Sequence, residues 1–276
     1  MDLYISDLDG TLLNSKREIS DYSKKTLNNL MREKGLEFTI ATARTPGTVI
    51  EILEGLNIKK AISLMNGVFL YDLKEKKYMK IRSIKKDTAI KILNVLESFN
   101  KASFVYGIRD NHLYVYHKEM ELDLDITYHS ERKNSLYKTF KVVKNYDQAL
   151  KDLEVVNFMI LDKLEVVEIM YKELSKIEGI NCGYYKDVYD ESCYFIEIHS
   201  GEASKEKAVD DLREMYKPTK VICFGDNMND LPMFKVADEK YAVKNGVDGI
   251  KGFATEIIDT NDLDGVVKFI EKRFEK

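Results

Sequence analysis

The chain has 276 residues, 44% hydrophobic and 33% charged, a balance that excludes wholesale disorder. At roughly 150 residues per domain, that length predicts about two domains. Lys and Arg total 43 against 47 Asp and Glu, a formal charge of −4, which argues against a general nucleic-acid binder because such a protein needs a basic face for phosphates.

The N-terminal part reads as alternating strands and helices. Leu3 to Ser6 is a short strand ending in the polar turn Asp7-Leu8-Asp9-Gly10-Thr11. Ser20 caps a helix that runs to Lys34, with Leu27, Leu30 and Met31 at helical spacing, and Gly35 stops it. A second strand, Glu37 to Ala41, breaks at Thr42-Ala43-Arg44-Thr45-Pro46-Gly47, and Pro46 suits the first turn of a helix over 48–56. A third strand over 60–64 closes on Asn66-Gly67, which opens a hairpin into Phe69-Leu70-Tyr71. This alternation predicts a parallel sheet covered on both faces.

From about residue 83 to 190 the strands become longer, more polar and rich in tyrosine, as in Leu113-Tyr114-Val115-Tyr116, with amphipathic helices near 87–99 and 163–177. Antiparallel strands with helices on one face fit that pattern. The strand–helix rhythm then returns with a helix over 205–216, a strand over 220–224, a helix over 231–236 and a strand over 241–243. The predicted organisation is an α/β domain made of 1–82 and 190–276, interrupted by an α+β insert over 83–189. Neither a signal peptide nor a run of eighteen apolar residues is present, so a cytoplasmic protein with no membrane partner is expected. Cys182, Cys193 and Cys223 are odd in number and form no CxxC, so reduced thiols are expected.

Two acidic motifs sit at strand ends. Asp7-Leu8-Asp9-Gly10-Thr11 and Gly225-Asp226-Asn227-Met228-Asn229-Asp230 each follow an apolar strand, and that edge of an open α/β sheet is where ligands bind. If they meet, hard oxygen donors with no His or Cys nearby suit Mg²⁺ better than zinc. Thr42 ends another strand and offers its hydroxyl and the amides after it to the same edge. Lys205 follows Ser204, a helix cap, and supplies a point charge of the kind that binds phosphate.

In this order, Asp7-Leu8-Asp9-Gly10-Thr11, Thr42, Lys205 and Gly225 to Asp230 resemble the four motifs of the haloacid dehalogenase superfamily. The insert, Met65-Asn66-Gly67 and the tail Asn261-Asp262-Leu263-Asp264-Gly265-Val266 resemble the Cof-type phosphatases with a C2 (C2B-like) cap. Ala43 stands where the family often has Gly, and Glu206 where Gly often follows the lysine. The resemblance implies a Rossmann-like doubly wound parallel sheet with an inserted cap that supplies the leaving-group pocket. It also implies a Mg²⁺-dependent phosphatase of small phosphorylated metabolites, with sugar phosphates foremost and flavin or pyridoxal phosphates next.

The roles implied are as follows. Asp7 is the nucleophile that forms an aspartyl-phosphate, and Asp9 is the acid and then the base, its pKa raised by neighbouring negative charge. The Asp7 carboxylate, the Asp9 carbonyl and Asp226 hold Mg²⁺. Thr42, Asn229, Lys205 and the amides of Leu8, Asp9 and Ala43 hold phosphoryl oxygens, while Asp230 steadies Lys205 or a metal-bound water. In the insert, Arg109, His112, His117 and Tyr184 are candidate substrate contacts, and Tyr114, Tyr116, Tyr184 and Tyr185 a candidate aromatic wall. A phosphosugar mutase and a non-catalytic phospho-ligand sensor are the alternative functions. Oligomeric state is not legible.

Overall fold

Leu3–Ser6 (β1) is buried along its whole length, as a strand at the centre of a parallel sheet must be. The computed structural model describes residues 1–120, 122–186 and 192–275. After β1 come α1 (Asp21–Glu33), β2 (Glu37–Ile40), α2 (Pro46–Val49), β3 (Ile62–Leu64), β4 (Phe69–Asp72) and β5 (Lys77–Ile81). The chain continues through α3 (Lys86–Ser98), β6 (Phe104–Arg109), β7 (His112–His117), α4 (Asp123–Arg132), β8 (Lys138–Val142) and α5 (Asp147–Asp152). Then follow β9 (Glu154–Asp162), α6 (Leu164–Leu174), β10 (Ile180–Lys186), β11 (Tyr194–Ser200) and α7 (Lys205–Tyr216). It ends with β12 (Val221–Gly225), α8 (Leu231–Val236), β13 (Glu239–Val243), α9 (Asp248–Lys251), β14 (Glu256–Ile258) and α10 (Gly265–Phe274).

The chain divides into two units, Met1–Lys80 with Ser204–Lys276, and Ile81–Ala203. In the first, five parallel strands run in the order β14-β13-β12-β1-β2. One face packs Leu3, Ile5, Val221 and Cys223 against Ala208, Val209 and Leu212 of α7 and Met233 and Phe234 of α8. On the other, Phe224 and Tyr241 meet Phe269 of α10. Both faces are thus covered, as parallel strands require. The small antiparallel sheet β3-β4-β5 touches the main one through a bridge between Ala41 and Ser63. The helix expected over 48–56 is a single turn, Pro46–Val49, continued by turns to Gly55. Thr48, Val49, Ile50 and Ile52 are β-branched, and Gly55, at φ 84°, cannot prolong a right-handed helix.

In the second unit the strand order is β10-β11-β9-β6-β7-β8. All pairs are antiparallel except β7 with β8, which α4 joins as a crossover. Val105, Phe158, Ile160, Ile196 and Ile198 face α3 and α6 in one apolar core. The helices were expected on one face only; α4, unforeseen, lies on the other. Its Tyr128 bonds the Tyr106 hydroxyl and stacks on Phe104, residues that alternate with Val105. The return boundary expected at 189/190 lies outside the described residues. The next strand, β11, still belongs to the second unit because it pairs with both β9 and β10.

Candidate active site

β1 and β12 are parallel neighbours with Ser6 opposite Phe224, so Asp7 and Asp226 step off the same sheet edge. The Asp7 amide donates to the Phe224 carbonyl at 3.0 Å, which fixes the first carboxylate against the second strand. In the turn after Asp7, Gly10 has φ 72°, and a Cβ there would stand 2.4 Å from Asp226 Oδ2. Only glycine lets the two acidic segments approach so closely. Thr11 Oγ1 donates to Asp226 Oδ1 at 3.1 Å.

Lys205 opens α7 and is 1% exposed. Ser204 caps that helix, accepting from the Lys207 amide at 3.0 Å. Lys205 Nζ reaches Asp7 Oδ1 at 2.8 Å and Asp230 Oδ1 at 2.6 Å. The other oxygen of Asp230 accepts the amides of Asp226 at 2.9 Å and Asn227 at 3.1 Å. Asp230 therefore both pairs the lysine and shapes the loop that carries Asp226. Glu206, next to Lys205, is not among its ion-pair partners.

One lysine thus serves two buried acids. Burial pushes Asp7 up to about 7, with Asp230 adding to the rise and Lys205 opposing it. Asp226 is raised to about 6 by burial and by Asp230. Burial alone would lower Lys205, but Asp7 and Asp230 outweigh it and hold the ammonium charged.

Asp7, Asp9, Thr42, Ala43, Asp226 and Asn229 line one cleft of about 270 Å³, together with Gly10 and Asn227. Leu8 lies outside this lining with its side chain fully buried, though its amide bonds the Asp7 carboxylate. Lys205 and Asp230 sit behind the cleft wall rather than in it. Thr42 is pinned by its amide to the Ser63 carbonyl at 3.0 Å, and its hydroxyl accepts the Arg44 amide at 3.2 Å.

Asp9 departs from expectation. Its side chain was expected among negative charges, yet Arg44 grips it, Nε to Oδ2 at 2.6 Å and Nη2 to Oδ1 at 2.5 Å. Arg44 was overlooked, although it follows Thr42-Ala43 in the same loop. Asn245 was overlooked too: it stands just past the end of β13, on the same sheet edge. Its side chain donates to the Gly10 carbonyl at 2.7 Å and accepts the Asn261 amide at 3.0 Å, tying the nucleophile turn to the tail.

The candidates in the second unit have structural partners. His117 is buried, bonds the Lys118 carbonyl at 2.8 Å and stacks among Phe104, His129 and Phe140. His112 Nε2 bonds the Thr139 hydroxyl at 2.9 Å, Arg109 lies over the Tyr114 ring, and Tyr184 packs edge-on against Tyr171. No wall of four tyrosines forms. Tyr114, Tyr116 and Tyr184 belong to the helix-covered core, while Tyr185, the next residue on its strand, points the other way.

The donor set fits a divalent cation. Oxygen atoms of Asp7, Asp226 and Asp230 lie within 4.8 Å of one another, and one lysine leaves the group net negative. Carboxylates alone, with no thiol or imidazole, suit a hard ion.

The model of the haloacid dehalogenase-like hydrolase family matches residues 4–270. The chain belongs to that family. The hydrolase is 24% identical over 271 residues to the 5-amino-6-(5-phospho-D-ribitylamino)uracil phosphatase YitU of Bacillus subtilis, covering 97% of this chain and 96% of that one. It is 25% identical to the pyridoxal phosphate phosphatase YbhA of Escherichia coli, covering 96% and 95% of the two chains. It shares the fold of TM0651 from Thermotoga maritima, with a TM-score of 0.78, 24% identity and coverage of 98% and 96%. The hydrolase is a phosphatase of phosphorylated small molecules, a phosphoric monoester hydrolase. Among the described residues, no helix is long and apolar enough to cross a membrane.

Proposed function

We propose that this hydrolase cleaves phosphomonoesters of small metabolites through an aspartyl-phosphate on Asp7, with Mg²⁺ as its ion. What carries the reading is the placement of Asp7 beside Lys205 and Asp226, facing a cleft walled by Thr42 and Asn229. Asp7, Asp226 and the Asp9 carbonyl would hold the ion, which when bound offsets the charge between a carboxylate nucleophile and an anionic substrate. Like charges 4 Å apart repel by roughly 4 kcal/mol at an effective dielectric near 20.

Lys205 engages Asp7 Oδ1, which leaves Oδ2 to attack phosphorus as the ester P–O bond breaks. Asp9 gives its proton to the departing alkoxide and later takes one from the water that attacks the aspartyl-phosphate. Thr42, Asn229 and the amides of Leu8, Asp9 and Ala43 hold the phosphoryl oxygens, and Lys205 balances the charge on Asp7 from behind. The phosphoribityl and pyridoxal substrates named for the relatives both carry phosphate on a primary alcohol. Polyol and sugar phosphates are therefore the first substrates to try. We assign the choice among them to the second unit, residues 81–203.

A panel of phosphometabolites ranked by kcat/KM, with and without Mg²⁺, tests this function. Phosphate released to solvent supports it; labelled phosphate retained on sugar indicates a mutase. Binding without any release, even from p-nitrophenyl phosphate, indicates a sensor. Asp7→Asn should keep the fold and lose turnover, since the amide is an isostere that cannot attack. Turnover near wild type in that variant would show that Asp7 is not the nucleophile.

A further inference from the structure

Among the described residues, Asp9 has a single side-chain partner, Arg44. The two parallel bonds, 2.6 Å from Nε and 2.5 Å from Nη2, match the guanidinium fork to both carboxylate oxygens. Such a pair fixes the plane of a carboxylate as well as its position, which a lysine cannot do. The Asp9 side chain is half exposed, so nothing else in its surroundings aims it.

The base of the fork is itself pinned. The Arg44 amide donates to Thr42 Oγ1 and its carbonyl accepts the Met65 amide at 3.1 Å. The turn that supplies this bond has Met65, Asn66 and Gly67 at φ 50°, 51° and 92°. Two side-chain-bearing residues in succession in the left-handed region cost backbone energy that the surroundings must offset, and such strain gathers at functional sites. The Asn66 amide donates to the Thr42 carbonyl at 3.0 Å. A Cβ on Gly67 would stand 2.1 Å from the Ser204 carbonyl oxygen, so the turn lies directly against the residue before Lys205. Arg44 thus hangs from a backbone braced both by the cleft loop and by the start of α7.

We propose that Arg44 is a positioning residue for the second half of the reaction, holding Asp9 as an oriented carboxylate toward the attacking water. This rests on the aspartyl-phosphate reading above. In that step the water oxygen bonds phosphorus as the bond from phosphorus to the Asp7 oxygen breaks, and its electron pair returns to the Asp7 carboxylate. The water proton passes to an Asp9 oxygen, and phosphate leaves. A carboxylate held on both oxygens is an acceptor only. The fork therefore serves the step in which Asp9 accepts a proton and has to open for the step in which it donates one.

The test is rapid-quench kinetics on the full chain with Mg²⁺ and p-nitrophenyl phosphate, timing nitrophenol release and phosphate release separately. Nitrophenolate is a good leaving group that needs no acid, so the first step is insensitive to where Asp9 points. In Arg44→Ala, phosphate release should slow about 10- to 100-fold while the first step changes less than about threefold. Nitrophenol then appears as a burst ahead of a slow phase. Arg44→Lys keeps the charge without the fork and should recover only part of the loss. Misfolded molecules lower the burst amplitude but leave both rates of the active fraction intact. A variant with no burst, or one in which both steps slow equally, overturns the proposal. A wild-type protein that releases neither product overturns the phosphatase reading instead.

Discussion

Lys205 and Asp230 form an ion pair of 2.6 Å in which 1% of one side chain and none of the other is exposed. Deleting one partner of such a pair strands the other in a medium that cannot solvate it, at about 3–5 kcal/mol. Lys205→Met should therefore lower stability in urea by that order as well as abolish turnover, because it strands two acids, Asp7 and Asp230. Asp230→Asn should also lose stability, but less, because its amide still accepts from the Asp226 and Asn227 backbone. A Lys205→Met variant as stable as wild type would show the pair to be dispensable to the fold.

Metal binding should be visible without catalysis. An ion that binds only the folded protein raises its melting temperature, by about 2.7 kcal/mol of stability at a hundred times Kd. Mg²⁺ should raise Tm in wild type and fail to do so in Asp226→Asn, and excess EDTA should stop turnover. Asp7 is raised to about 7 and Asp226 to about 6, so protons compete with the ion as pH falls. The shift should shrink from pH 8 to pH 6; a constant shift would place the ion elsewhere.

Gly67→Ala tests how tightly the turn bears on α7. The new methyl would meet the Ser204 carbonyl oxygen at 2.1 Å, backbone that cannot rotate away, at a residue with φ 92°. Strain and overpacking together predict a loss of about 2 kcal/mol or more. Moving Ser204 moves Lys205, so kcat should drop further than stability alone explains. Gly55→Ala also sits at a positive φ but has nothing within 4 Å, and should cost stability alone.

On β11, two groups should set opposite pH limits on folding. Burial lowers His199 to about 4, so between pH 6.5 and 4 the unfolded chain takes a proton the folded one refuses. Stability from this residue is complete above 6.5 and falls by up to about 3 kcal/mol as pH drops to 4. Glu197 is raised to about 7 by burial, so its contribution is complete below about 4.5 and is lost as pH rises through 7. His199→Gln should stabilise at pH 5 and Glu197→Gln at pH 8, read from urea midpoints. Effects of the reverse sign would contradict this burial.

Much of the site was legible because its motifs occupy strand ends, where a short apolar run and the acid after it are adjacent in sequence. Asp7, Asp226 and Thr42 could each be placed on one sheet edge in that way. Arg44 could not, because a lone arginine in a loop carries no periodicity, and its pairing with Asp9 depends on how two loops fold together. The second unit was legible as antiparallel from its alternation. The parallel β7–β8 pair and α4 were hidden, since α4 buries no continuous apolar stripe and β8 is half polar. The expected aromatic wall failed on parity: Tyr184 and Tyr185 are consecutive on one strand and must diverge.

The strand before Asp7 and its neighbour in the sheet, β12, lie more than two hundred residues apart in the chain, so β12 leaves the ribosome long after β1. During synthesis, therefore, the nucleophile waits without its lysine, its partner carboxylates or the strand that holds its amide. A product that stops before residue 221 holds Asp7, Thr42 and Lys205 but lacks Asp226, Asn229 and Asp230. Catalytic competence arrives late and all at once, when β12 and the loop after it join the sheet.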